Sequence, residues 1–194
     1  MPTLILIDLQ QEFARRIHAG WEVSQPGAIK AATALLARFR AAGLPVLHVQ
    51  HDDPAPASGF RLDKPTGAPI PDLAPLPGET VVVKTTSSAF ASPAMIPALN
   101  GARDLVVAGA ALNYCVSSTL RAAADLGFCP RLVTDATFCF GATLPESVYP
   151  ITLEGEKPGQ TVQPVTLSAQ TVHAVTLAGL AEFADLVTSE TLDL

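Results

Sequence analysis

Short runs of apolar residues recur along the chain, separated by stretches with helical periodicity. The runs are rich in Val, Ile or Leu and are continuous rather than alternating, which is typical of parallel strands buried on both faces. The predicted strands cover residues 3–9, 46–49, 80–83, 105–108, 131–134 and 184–188.

Three stretches between these strands have the apolar spacing of helices. They cover residues 28–42, 116–126 and 170–183. Gly43 and Pro45 supply a stop after the first, and Gly127 suits the C-terminal end of the second. Strands that alternate with helices predict an α/β fold, a three-layer α/β/α sandwich on a doubly wound, mainly parallel sheet. We expect residues 1–194 to form one domain.

Two stretches break this alternation. Residues 54–77 hold seven prolines, which predicts an ordered surface loop. Residues 138–167 carry turn-forming Gly and Pro with short β-prone pieces such as residues 148–153. This excursion either covers the mouth of the active site or reaches a neighbouring subunit, or it is a passive surface insertion.

Composition excludes several classes of protein. A formal net charge of −6 without a basic block disfavours a nucleic-acid partner. No apolar run reaches the roughly 18 residues of a membrane span, so we expect no membrane partner. The three cysteines, Cys115, Cys129 and Cys139, show no CxxC spacing, which argues against a disulfide framework and a structural zinc site and favours the cytoplasm. A hydrophobic content of 48% fits a sheet covered on both faces or a subunit interface.

Three polar residues follow or end apolar strands, where ligands bind in open α/β sheets. Asp8 closes the run LILID, Lys84 closes TVVVK, and Cys115 lies after LVVAG at the start of a helix. Each also has a structural interpretation: Asp8 as a helix N-cap, Lys84 as a lysine that extends to water, and Cys115 as a small core residue. Together they meet the needs of nucleophilic acyl chemistry, and the helix start and the neighbouring Lys84 predict a lowered pKa for Cys115.

Five blocks of sequence, in this order and spacing, resemble the isochorismatase-like cysteine hydrolases. They are IDLQQEF, VVVKTTSSAF, VVAGAALNYCVSSTLRAAADLGF, VTDA and SAQTVHAVTLAGLAEFADLVTSETL. The resemblance implies a catalytic triad of Asp8 as base, Lys84 as cation and Cys115 as nucleophile. It also implies a cis peptide bond between Ala110 and Ala111, with the N–H groups of Ala111 and Cys115 as an oxyanion hole.

The implied activity is cleavage of a C–N bond in a small amide through a thioester on Cys115, without a cofactor and in a homo-oligomer. One alternative is an isochorismatase-type vinyl-ether hydrolase. Another is a catalytically inactive family member that acts as a binding or assembly protein. The carboxylate and ammonium at apolar strand ends argue against the second alternative, because such groups are costly to keep there without use.

Some positions depart from the family pattern. Leu112 stands where many relatives carry Thr or Ser, and Ala91 and Ser92 stand in place of Gly-Thr. Metal-binding relatives use an Asp-x-His pair and a further His, whereas this chain has HVQHDDP, so a site of His48, His51, Asp52 and Asp53 has the wrong spacing. We therefore expect no metal.

Aromatic residues are the candidates for shaping a substrate pocket. Phe13 and Phe90 lie in the blocks expected to face the nucleophile, and Tyr114 adjoins it. Trp21 is a candidate to close over the site. His173 lies on the apolar face of the last predicted helix and is interpreted as a structural histidine.

Overall fold

The structure is a computed structural model that describes residues 1–144 and 164–194. Its eight strands are β1 (Thr3–Ile7), β2 (Val46–His51), β3 (Thr80–Lys84), β4 (Asp104–Ala110), β5 (Cys129–Phe138), β6 (Ala142–Leu144), β7 (Val165–Leu167) and β8 (Asp185–Val187). Its α-helices are α1 (Gln11–His18), α2 (Ala28–Ala41), α3 (Met95–Ala98), α4 (Ser117–Asp125) and α5 (Ala169–Leu180).

Six strands form one sheet in the order β3-β2-β1-β4-β5-β8, and every neighbouring pair is parallel. Helices flank the sheet, with α2 packed against β1, β2, β4 and β5 and with α4 packed against β5 and α5. The predicted doubly wound α/β fold is confirmed. The strand order reverses between β1 and β4, and a crevice opens at the carboxyl ends of strands at such a switch point.

The core lies around the central strands. All five residues of β1 are buried, and Phe39 of α2 and Phe138 of β5 are fully buried beside them. Each such apolar side chain contributes about 1.5–3 kcal/mol through removal from water. The central strands therefore provide a rigid base for the residues that follow their carboxyl ends.

Position 109 of β4 requires glycine, because the backbone of β1 passes close to it. Gly109 pairs in register with Ile7 and has φ 133°, and a Cβ built there would lie 2.2 Å from the Ile7 carbonyl oxygen. Any side chain would force β1 and β4 apart directly beneath the crevice.

The proline-rich loop of residues 54–77 contains two 3₁₀ turns, Pro65–Gly67 and Pro71–Leu73, but no α-helix or sheet strand. At the ends of the predicted excursion, Phe138 belongs to β5, and β6 pairs antiparallel with β7. The β-prone piece at residues 148–153 lies outside the described residues. Among the described helices, none is both long and apolar enough to cross a membrane.

Candidate active site

The three polar residues expected at strand ends meet at the carboxyl edge of the sheet. Asp8 follows β1, Lys84 ends β3, and Cys115 lies in a turn after β4. The Lys84 Nζ donates to Asp8 Oδ2 at 2.7 Å and lies 3.3 Å from Cys115 Sγ. The structure thus brings a carboxylate, an ammonium and a thiol into direct contact.

Lys84 is held inside the protein. Its side chain is 0% exposed, so the alternative of a lysine that extends to water is wrong. Besides Asp8, its ammonium donates to the Thr86 carbonyl oxygen at 3.1 Å and lies 3.4 Å from His51 Nδ1. A buried ammonium is stable only when paired and hydrogen-bonded, and these contacts meet that requirement.

Asp8 is placed by a break in the strand. It is one of two non-glycine residues with positive φ in the described chain, at 51°, so the extended backbone of β1 ends before it. The alternative of a helix N-cap is wrong, because the N-cap of α1 is Gln10. Burial raises the pKa of Asp8, although Lys84 opposes this shift.

One oxygen of Asp8 is unsatisfied. While Oδ2 accepts from Lys84, Oδ1 is buried and has no well-aligned hydrogen bond within residues 1–144 and 164–194. The Cys115 thiol is close enough to this carboxylate for their hydrogen bonding to lower the pKa of Asp8. A buried acceptor without a donor is unfavourable by about 1–3 kcal/mol. Asp8 is therefore placed to accept the proton of the Cys115 thiol.

Cys115 lies in a π-helical turn, Leu112–Val116, that leads into α4. Such turns inside helices are frequent at functional sites. Burial, together with the charge of Asp8, raises the pKa of Cys115 to about 12, and Lys84 only partly offsets this. Our expectation of a lowered pKa is wrong, because it considered the helix start and the lysine but neither the burial of the thiol nor the carboxylate beside it.

The peptide bond between Ala110 and Ala111 is cis, as the family resemblance implies. Ala111 lines the same cavity as Cys115. The use of the Ala111 and Cys115 N–H groups as an oxyanion hole stays a prediction.

A cavity of about 480 Å³ opens over Asp8 and Cys115. Phe13, Trp21 and Tyr114 line it, in agreement with their expected positions. Phe90 does not line it, which contradicts the expectation: its ring packs on Phe128 with centroids 5.2 Å apart.

Several cavity residues were missed by the sequence analysis. Phe60 comes from the proline-rich loop and Phe140 from the segment after β5, and both rings lie within 6 Å of the Phe13 ring. Arg16 and Asn113 also line the cavity. No periodicity or motif indicates that separate loops would place these side chains around one space.

The residues considered for a metal site each contact other partners instead of converging on one point. His48 Nε2 lies 2.9 Å from Glu79, Asp52 accepts from the Leu62 N–H, and Asp53 accepts from the Ala55 N–H. In the described part of the chain, no cluster of three or more His, Cys, Asp or Glu side chains could hold a metal ion.

His173 lies away from the cavity. Its Nδ1 lies 2.8 Å from Ser24 Oγ, whereas its buried Nε2 has no partner among the described residues. Burial lowers the pKa of His173, which favours the neutral ring. His173 is therefore placed as a structural histidine, but only the Nδ1 of its ring has a hydrogen-bond partner among the described residues.

The Isochorismatase domain family matches residues 2–146. The chain belongs to this family and is a hydrolase. A crystal structure of an isochorismatase-family hydrolase from Chromobacterium violaceum superimposes with a TM-score of 0.83 at 35% identity, over 97% of this chain and 90% of that one. The isochorismatase family protein YrdC of Bacillus subtilis is 29% identical over 97% of this chain and 92% of its own length. The ureidoacrylate amidohydrolase RutB of Variovorax paradoxus is 40% identical over 41% of this chain and 33% of its own length.

Proposed function

We propose that this hydrolase is a cysteine amidohydrolase that cleaves the C–N bond of a small amide through a thioester on Cys115. The observation that carries the proposal is the contact group of Asp8, Lys84 and Cys115, in which the buried Asp8 carboxylate is close to both the ammonium and the thiol. A base with a free acceptor beside a protonated thiol is the arrangement that nucleophilic acyl transfer needs.

The chemistry follows from the protonation states. Asp8 takes the proton from the Cys115 thiol as the sulfur attacks the carbonyl carbon and the C–S bond forms. The C–N bond then breaks, and Asp8 returns the proton to the departing amine. Water, deprotonated by Asp8, attacks the thioester, and the acid leaves as the thiol regains its proton.

Lys84 has an electrostatic part in this cycle. Its ammonium contacts both Asp8 and Cys115, so it stabilises whichever of the two carries the negative charge as the proton moves. The buried setting strengthens this effect, because a low dielectric screens charges weakly.

A family relative supports amide chemistry over vinyl-ether cleavage. RutB, which shares 40% identity with part of this chain, is named as an amidohydrolase. A vinyl ether contains no nitrogen to release, so detection of ammonia separates the two reactions.

The test is ammonia release from small primary amides, combined with the intact mass of acid-quenched enzyme. We expect an acyl adduct on wild type that is absent from Cys115→Ala. Cys129→Ala is the matched control, because Cys129 is exposed and outside the cavity. Undiminished ammonia release by Cys115→Ala would refute the proposal.

A further inference from the structure

Arg16 lies in the wall of the same cavity as Cys115, between aromatic rings. Its guanidinium carbon is 5.1 Å from the centroids of Trp21 and Phe60 and 5.8 Å from that of Phe13. Rings on several sides limit the rotamers of the long side chain. The planar donors are therefore positioned before any ligand arrives.

The hydrogen bonds of Arg16 leave donors free. Its Nε donates to Glu12 Oε1 at 2.8 Å. Neither terminal nitrogen has an acceptor within the described residues. Guanidinium donors in a fixed plane match the two oxygens of a carboxylate.

The charges around Arg16 do not cancel. Glu12, whose pKa is lowered to about 2 chiefly by Arg15, pairs with Arg15 at 2.7 Å as well as with Arg16. One carboxylate thus serves two guanidinium groups. The Arg15 side chain is 56% exposed and lies outside the cavity, so the surplus positive charge that faces the cavity belongs to Arg16.

Two carboxylates also line the cavity. Asp8 is paired with Lys84, and the partly exposed Asp53 carboxylate accepts from the Ala55 N–H. Charges that reach solvent are screened by water and salt, so Asp53 offsets Arg16 only weakly.

We propose that Arg16 is a specificity-determining residue that binds a carboxylate on the substrate, so that the enzyme prefers amides with a carboxylate at the end away from Cys115. The aromatic walls suit an apolar or flat body between the two ends. That the reacting group is an amide rests on the proposed function. The preference for a carboxylate at the other end rests only on the residues that line the cavity.

The test compares probes that share one amide and differ only at the other end. Succinamate is compared with succinamide, and 4-carbamoylbenzoate with terephthalamide. Binding is followed by fluorescence of Trp21, the one tryptophan in the chain, which lines the cavity, and hydrolysis is followed by ammonia release. Binding needs no turnover, so failure of the amidase proposal and failure of this one are distinguishable.

Wild type is expected to bind the carboxylate probes more tightly than the diamides. Arg16→Gln should weaken carboxylate binding by about 10- to 100-fold, the loss typical of a hydrogen bond to a charged group, and leave diamide binding unchanged. Arg15→Gln is the matched control: it removes a guanidinium that lies outside the cavity, and Arg16 keeps its free terminal donors, so the preference should persist.

Three outcomes would overturn the proposal. They are equal binding of both probe types by wild type, a preference that persists in Arg16→Gln, and an equal loss in Arg15→Gln. A fourth outcome would also overturn it: an equal loss of both probe types in Arg16→Gln would mean that the residue only shapes the cavity. Should Arg16→Gln fail to fold, Arg16→Lys takes its place. This variant should show a smaller loss of the preference for carboxylate probes over diamides. An unchanged preference in Arg16→Lys would refute the proposal.

Discussion

Replacement of Lys84 by methionine would remove a buried charge while keeping most of the side-chain volume. The ammonium is 0% exposed and lies 2.7 Å from Asp8 Oδ2, whose other oxygen already has no partner in the described structure. Without Lys84, both oxygens of a buried carboxylate lack a strong donor. Loss of one partner from a buried ion pair reduces the free energy of unfolding by about 3–5 kcal/mol.

The pH dependence of this loss has a definite sign. The folded-state pKa of Asp8 is already raised above its usual value by burial, and removal of Lys84 removes the main opposing effect. A raised carboxyl pKa destabilises the fold at pH values above it and is relieved as the group protonates. The difference in unfolding free energy between Lys84→Met and wild type should therefore shrink as pH falls from neutrality through the raised pKa of Asp8.

The assay is urea unfolding of four proteins at several pH values: wild type, Lys84→Met, Asp8→Asn and the double variant. The double variant leaves no uncompensated charge, so it should be more stable at neutral pH than Lys84→Met, with strong coupling between the two sites. An unfolding free energy of Lys84→Met within about 1 kcal/mol of wild type at neutral pH would contradict this reasoning. It would mean that the Asp8–Lys84 pair is exposed to water, whereas the structure buries it.

Three further outcomes are expected. Asp8→Asn should slow acylation and deacylation together by about 10²–10⁴-fold in single-turnover kinetics, and a nearly full rate would refute the base role. Wild-type turnover should fall as pH drops through a pKa above 3.8, because a protonated Asp8 cannot accept a proton; an acid limb at or below 3.8 would contradict this. Iodoacetamide at neutral pH, followed by peptide mapping, should label exposed Cys129 faster than Cys115, whose raised pKa keeps it protonated, and the reverse order would contradict the shift.

The sequence predicted the strands best where both faces are buried. For β1 to β4, the runs of Val, Ile and Leu match the observed strands within a few residues. In β5 the prediction stopped at residue 134, whereas the strand continues to Phe138. The polar residues Thr134, Asp135 and Thr137 end the apolar run, but a register shift against β4 between Val107 and Gly109 lets the pairing resume at Thr137.

Two helices were missed because their stability depends on tertiary packing rather than on local pattern. Helix α1, with the sequence QEFARRIH, is mainly polar and buries only Glu12 and Phe13. Helix α3 has four residues and contains Pro97, which reads as a helix breaker. The first omission matters for the site, since α1 carries both Phe13 and Arg16 into the cavity.

The contacts of Asp8, Lys84 and Cys115 could be expected from the sequence because all three follow from parallel topology. Carboxyl ends of the strands of a parallel sheet lie along one edge, so the residues at the ends of β1, β3 and β4 face a common crevice. No comparable rule predicts the positions of the aromatic residues that line the cavity. Phe60 and Phe140 arrive from irregular segments about 80 residues apart, and only long-range packing decides where such segments lie.

The raised pKa of Cys115 shows what local reasoning omits. A helix start and a lysine both favour a thiolate, and both are visible near Cys115 in sequence or family pattern. The carboxylate of Asp8, 107 positions away in the chain, has the opposite effect together with burial. A thiol that keeps its proton until a base accepts it is inert toward general electrophiles. We therefore infer that attack on a bound amide depends on Asp8 rather than on a preformed thiolate.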